Sequence, residues 1–327
     1  MEGHTGWANQ ALRTRVGVTP EFLRGLPADK ARYYGHDRDM VPNGFAVDAG
    51  LDKVVDGLPD PSPEVMLTAG RLAVKMMNEW GVTAWLDALA THGILATYKE
   101  LSDRHELNAH VAAFVRVKAE DADPLANVTA MRKEFANVPG LTLPGIKIFM
   151  DGVVEFPSQS AAMSKPYAKT NKMGDLLFTP AQFAAVATQA DEAGLIVHVH
   201  SIGDLGTTTA LDGFAAARKA NGNSGLPDTI THLQFVQPTD YDRFKALGVI
   251  ASLQLFWATA EEDSVDLVKP YVARTRSWRV GRARARPRCS RRWAPPTAPR
   301  ASGSWDAASR RRPHRISLAR PASSPGP

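Results

Sequence analysis

The chain has 327 residues, 44% of them hydrophobic and 22% charged, which is enough apolar side chain to bury a core and excludes a wholly disordered protein. A single cysteine, Cys289, excludes an internal disulfide and a cysteine zinc cluster, so a metal here would be held by His, carboxylate or lysine-derived ligands. The net charge of +5 joins two unlike parts: residues 274–327 hold 15 of the 39 basic residues and one of the 34 acids, a net of +14, leaving −9 for residues 1–273.

No run of 18 apolar residues occurs, and Met1-Glu2-Gly3-His4-Thr5 has neither the basic start nor the apolar stretch of a signal peptide. A cytoplasmic protein that does not enter a membrane is expected. The first 79 residues are less regular, with a helix over 62–79. Apolar runs then predict strands at 81–86, 111–117, 145–150, 195–200, 229–233 and 249–255. Helical stretches fall near 93–105 and 124–136, and a third starts at about Thr179, an N-cap residue followed by Pro180 at the first helical position. Strand and helix alternating about every 30 residues, with continuously apolar strands, predict a parallel α/β sheet closed or nearly closed as a barrel.

Patterning of this kind stops near Tyr271. In residues 274–327, Ala, Arg, Pro, Ser and Gly supply 43 of 54 positions, which predicts a disordered, low-complexity segment and a domain boundary at 273/274. GC-rich coding sequence read out of frame produces this composition, because Arg, Ala, Pro and Gly codons interchange on shifting; that is the reading adopted here. The alternative is a basic arm for nucleic acid, although no nucleic-acid motif accompanies Trp278, Trp293 and Trp305.

In a β/α barrel the active site is built at the C-terminal ends of the strands. His200 ends one predicted strand, His232 lies in the next, and Lys147 sits inside an otherwise apolar strand that leads into Asp151-Gly152. Imidazole suits zinc and similar ions, and a lysine joins them only after losing its charge, for example as a carbamate. Taken singly, each has a plainer explanation. A strand histidine is commonly a hydrogen-bonded core residue, Lys147 could be a snorkelling or ion-paired lysine, and of His198 and His200, which share a face, at most one need bind metal. Without metal, Lys147 is expected to seek Asp151 or Glu155.

The segments Lys147-Ile148-Phe149-Met150-Asp151-Gly152-Val153-Val154-Glu155, His200-Ser201-Ile202-Gly203-Asp204 and Thr231-His232-Leu233-Gln234 resemble the fourth-, fifth- and sixth-strand motifs of the amidohydrolase superfamily. The branch they are most similar to is family 3, that of N-substituted formamide deformylase. Glu2-Gly3-His4-Thr5-Gly6-Trp7-Ala8-Asn9 resembles the same branch's loop near the substrate. The resemblance covers about residues 1–273. It implies a TIM-type barrel with a small flanking β-domain and metal-dependent hydrolysis of amide or related non-peptide C–N bonds. It further implies His200 and His232 as ligands of a divalent metal, expected to be zinc, Lys147 or Glu155 as a bridging ligand, Lys147 and Asp204 in catalytic roles, and His4 and Trp7 as substrate contacts. Asp204 is expected to orient a histidine or the loop. The partners implied are a small-molecule amide and a second copy of the chain, with no membrane and no nucleic acid.

Two departures bear on activity. The family begins its barrel with a strand ending in His-x-His, and none occurs before residue 198; it ends the barrel with a strand carrying a metal-binding Asp, commonly in Ser-Asp, and none follows residue 273, where the one acid is Asp306. The sequence therefore predicts an incomplete barrel of about six strands with half of the metal site. A phosphate-binding barrel finds no Gly-rich loop after the late strands.

Overall fold

The computed structural model describes residues 4–254, 257, 259 and 263–272, all within a unit spanning Met1–Gly281. The basic segment 274–327 and the predicted strand end at 255 lie outside the described residues.

The irregular N-terminal region forms a small antiparallel sheet of β1 (Thr5–Trp7), β2 (Tyr34–His36) and β3 (Pro42–Val47), with β3 in the middle. Helices α1 (Gln10–Arg15), α2 (Pro20–Gly25) and α3 (Ala28–Ala31) join β1 to β2, and α4 (Ala49–Val55) follows β3. The first two start on side-chain caps, Asn9 accepting from Leu12 N–H and Thr19 from Phe22 N–H. A core of its own, with Val18, Leu23, Tyr33, Tyr34, Ala46 and Val54 buried, holds this region together.

Helix α5 (Pro63–Glu79), capped by Ser62, leads into the large sheet. Gly81, at φ +74, makes the turn between them, so the strand begins three residues later than the apolar run suggests. The sheet comprises β4 (Ala84–Ala90), β5 (His110–Arg116), β6 (Leu141–Phe149), β7 (Ile196–Ser201), β8 (Thr229–His232) and β9 (Ile250–Leu253). All are parallel and lie in chain order, a curled half-barrel of six strands. Between them run α6 (His92–Asp103), α7 (Ala126–Glu134), α8 (Pro180–Glu192), α9 (Asp204–Asn221) and α10 (Tyr241–Leu247). The start of α8 is fixed as the sequence predicts: Thr179 and Gln182 form a reciprocal capping box with Pro180 in the first turn.

The main core lies between strands and helices. Ile146, Ile148, Val197, Val199 and Ile230 are almost wholly buried there with Phe183, Leu211 and Phe214. Phe183 and Phe214 meet edge to face at 5.6 Å, and a side chain on Gly213 would strike the Phe183 ring, so α8 and α9 pack closely because that position has none. At the N-terminal ends of the strands Arg218 reaches Asp191 (2.7 Å) and Asp228 (2.6 Å), while Asp228 also accepts the Val197 N–H (2.8 Å).

Candidate functional site

Strand alternation sends Ile146, Ile148 and Met150 into the helix-side core and leaves Lys147 and Phe149 on the other, concave face. The parallel register then lines up Arg116, Lys147 and His198 across β5, β6 and β7, and Phe149 beside His200. His232 is registered with Ser201, whose hydroxyl bonds Thr207 of α9 on the helix side, so plain alternation would point His232 away from His200. Its backbone takes φ +80 instead, and its ring meets that of His200 at 4.6 Å between centroids. A left-handed backbone at a non-glycine residue is costly and tends to gather at functional sites.

The small sheet delivers a third imidazole. In the β1–β3 ladder Thr5 pairs with Val47, which brings the next pair, His4 and Asp48, opposite each other; the Asp48 N–H donates to the His4 carbonyl at 2.8 Å. His4 lies against His200 (4.6 Å between centroids) and Phe149 (5.5 Å).

Each imidazole gives one nitrogen to an oxygen. His4 Nδ1 bonds Asp48 Oδ1 (2.9 Å), His200 Nε2 the Gly152 carbonyl (2.9 Å) and His232 Nδ1 the Gln254 amide oxygen (3.1 Å). For neutral rings those oxygens take the ring protons and set the tautomers, leaving lone pairs on His4 Nε2, His200 Nδ1 and His232 Nε2. Burial holds His200 well below the ordinary imidazole range, assisted by the neighbouring His4, His232 and Lys147, and pushes His232 down to about 4. His198, deeper on β7, is pushed down to about 3 by burial and then by Lys147 and His232, and its Nδ1 has no hydrogen-bond partner.

Lys147 is buried, with Nζ 4.8 Å from the Phe149 ring centroid. Burial, with Arg116 adding repulsion, brings its pKa down to about 7. The carboxylates expected to pair with it stand elsewhere. Asp151 accepts the backbone N–H groups of Ile202 (2.9 Å), Gly203 (2.7 Å) and Ala162 (3.0 Å), tying the loop after β6 to the β7–α9 turn. Glu155 is half-buried on that loop, among the charges acting on Tyr167. Asp204 opens α9 and accepts from the Ser164 N–H (2.8 Å) and hydroxyl (2.5 Å); it holds the loop and not a histidine. Trp7 is 75% exposed on β1, its ring against Phe45, apart from the imidazole cluster. Asp48, Gln254 and Trp257, which stacks on His232 at 5.2 Å, escaped sequence reasoning.

Beside His232 a cavity of about 850 Å³ is lined by Met163, Tyr167, Phe235, Leu253 and Trp257, with Asp204 at its wall. The donors suit a divalent cation in kind: neutral imidazoles and an amine that loses its proton near neutrality. Among the described residues, however, no group of three or more His, Cys, Asp or Glu side chains is arranged to hold one. His200 and His232 bring two imidazoles together there, with a ring-centroid separation of 4.6 Å.

The comparisons with known proteins agree with this architecture. The chain is 28% identical over 247 residues to the exoenzymes regulatory protein AepA of Pectobacterium carotovorum subsp. carotovorum, covering 75% of this chain and 51% of that protein. It is 33% identical over 126 residues to the protein LONG AFTER FAR-RED 3 of Arabidopsis thaliana, covering 38% and 21%. Two crystal structures share its fold. One is an uncharacterized metal-dependent hydrolase from Pyrococcus horikoshii OT3 (TM-score 0.58, 21% identity, 81% of this chain and 50% of that one). The other is an uncharacterized metal-dependent hydrolase from Pyrococcus furiosus (TM-score 0.54, 20% identity, 78% and 49%). The chain thus spans about half the length of AepA and of these two hydrolases, and less of the Arabidopsis protein. The amidohydrolase family matches residues 1–286, all of the patterned sequence and the first 13 residues of the basic segment, and the chain belongs to that family.

Proposed function

We propose that this protein is a metal-dependent hydrolase of a small-molecule amide or related non-peptide C–N bond. The observation that carries the reading is the meeting of His200, His232 and Lys147 on the concave face at the C-terminal ends of adjacent parallel strands, the two imidazoles neutral at neutral pH and the amine about half deprotonated there. His200 and His232 would hold the cation, zinc in this proposal, through the nitrogens their oxygen partners leave unprotonated. When bound, the ion supplies Lewis acidity, polarising the scissile carbonyl and acidifying water.

Lys147 would join them as its carbamate. Its amine, neutral above about pH 7, adds to carbon dioxide and releases a proton, turning a repelled cation into an anionic ligand. Glu155 is the second candidate for that place. Asp204 holds Ser164 and with it the loop that lines the cavity, whose aromatic walls suit the apolar part of a substrate. A cytoplasmic setting is part of the proposal, supported by a single cysteine in the chain; among the described residues no helix is long and apolar enough to cross a membrane.

Metal analysis of protein reconstituted with zinc, together with amine release from a panel of small N-substituted amides, tests the reading. Weak zinc binding is expected for this chain, and His200→Ala or His232→Ala should abolish it along with any turnover. Turnover that survives both substitutions or complete chelation would overturn the proposal.

A further inference from the structure

Asp48 combines three features that its place after a strand does not require. It stands just before α4, where an aspartate ordinarily caps the helix, yet its side chain makes no cap bond. Its backbone is left-handed, at φ 47 and ψ −119, although it is not glycine. Its carboxylate is buried, with Oδ1 on His4 Nδ1 and Oδ2 without a partner. A buried carboxylate left half unpaired on a strained backbone is a poor stability device. What it does achieve is to fix one ring.

The surroundings show how closely the ring is held. Gly152 lies between Asp48 and His200: its carbonyl accepts from His200 Nε2, and a Cβ there would come within 2.7 Å of Asp48 Oδ2. His4 is thus bound to Asp48 through both its backbone carbonyl and its ring, and rests on His200 and Phe149. With Nδ1–H committed to the carboxylate, Nε2 is left as the acceptor nitrogen.

We propose that Asp48 is a positioning residue that locks His4 in the Nδ1–H tautomer, so that His4 Nε2 accepts the N–H of an amide substrate beside His200. The substrate class rests on the hydrolase reading above; the tautomer does not. The lone pair distinguishes an amide bearing an N–H from an ester of the same shape, because only the former has the donor.

The test uses the intact chain, labelled with nitrogen-15 and studied by long-range imidazole NMR at about pH 8, above the ordinary imidazole range. His4→Gln assigns the ring. His4 should carry its proton on Nδ1 in the wild type. Asp48→Asn, whose side chain tolerates a positive φ as well as any except glycine, should return it to the Nε2–H form that free imidazole side chains favour. N-methylacetamide should shift His4 Nε2, and methyl acetate should not. An Nε2–H tautomer in the wild type, an unchanged tautomer in Asp48→Asn, or equal responses to amide and ester would each overturn the proposal. A chain that shows the tautomer and the amide response but no turnover would count against the hydrolase reading alone.

Discussion

Arg116 and Lys147 stand in register on β5 and β6 and lay their guanidinium and amine ends against one ring, that of Phe149, at 4.9 and 4.8 Å from its centroid. They part in their other contacts. Arg116 makes a two-pronged ion pair with Asp52 (2.9 and 2.8 Å), joining α4 to the sheet, whereas Lys147 has no carboxylate among the described residues.

A pH-dependent destabilisation follows for the metal-free protein. Unfolded Lys147 keeps its proton up to an ordinary pKa of 10.5, while the folded residue releases it at about 7. Between those values the unfolded state binds more protons, so this residue makes stability rise with pH, and its full penalty applies below about pH 7. Lys147→Met should therefore be more stable than the wild type at pH 7, with the difference closing as pH approaches 10.5. Chemical denaturation across that range checks this; a pH-independent difference would mean that the folded amine titrates normally.

Gly152→Ala should disturb the site from its centre. The added Cβ would sit 2.0 Å from Ser160 Oγ and 2.7 Å from Asp48 Oδ2, and Ser160 Oγ already accepts the Val153 N–H. Overpacking of this kind costs about 1–3 kcal/mol. Thermal unfolding should show the loss, and the NMR signals of His4 and His200 should move with it; an unperturbed variant would mean that the loop yields freely.

Arg218→Met should cost more and act elsewhere. It would leave Asp191 and Asp228 buried without their cation, a loss of about 3–5 kcal/mol. The triad stands at the N-terminal ends of the strands, opposite the imidazoles, so zinc affinity of the folded variant should equal that of the wild type. Equal stability, or weakened zinc binding in the folded fraction, would contradict this division.

The large sheet is legible in the sequence because its strands are continuous apolar runs and a capping box is a local signal, as Thr179 and Gln182 show. His200 and Lys147 are legible as polar residues within such runs. The rest depends on distant pairings. His4 meets Asp48 across 44 residues and His200 meets Gly152 across 48, and neither contact leaves a periodic mark. His232 shows the limit most clearly: register alone sends it to the wrong face, and a positive φ, invisible in composition, brings it back. Asp151 looks like a lysine partner in sequence because it is four residues from Lys147; in the fold three backbone amides reach it first.

The six parallel strands lie side by side in the order in which a ribosome would make them, each pairing with its immediate successor. Such a sheet grows by accretion: every new strand docks on the one just finished, and no strand waits for a distant partner. Each closure spans a single crossover connection, and because closure cost grows only slowly with loop length even the long β6–β7 connection adds little, which favours vectorial assembly. Among the described strands β9 is an outer rung, with Ile250 and Leu253 at 50% and 57% exposure, and should be the first to loosen. Amide exchange should accordingly spread inward from β9, with β6 and β7 the slowest to open.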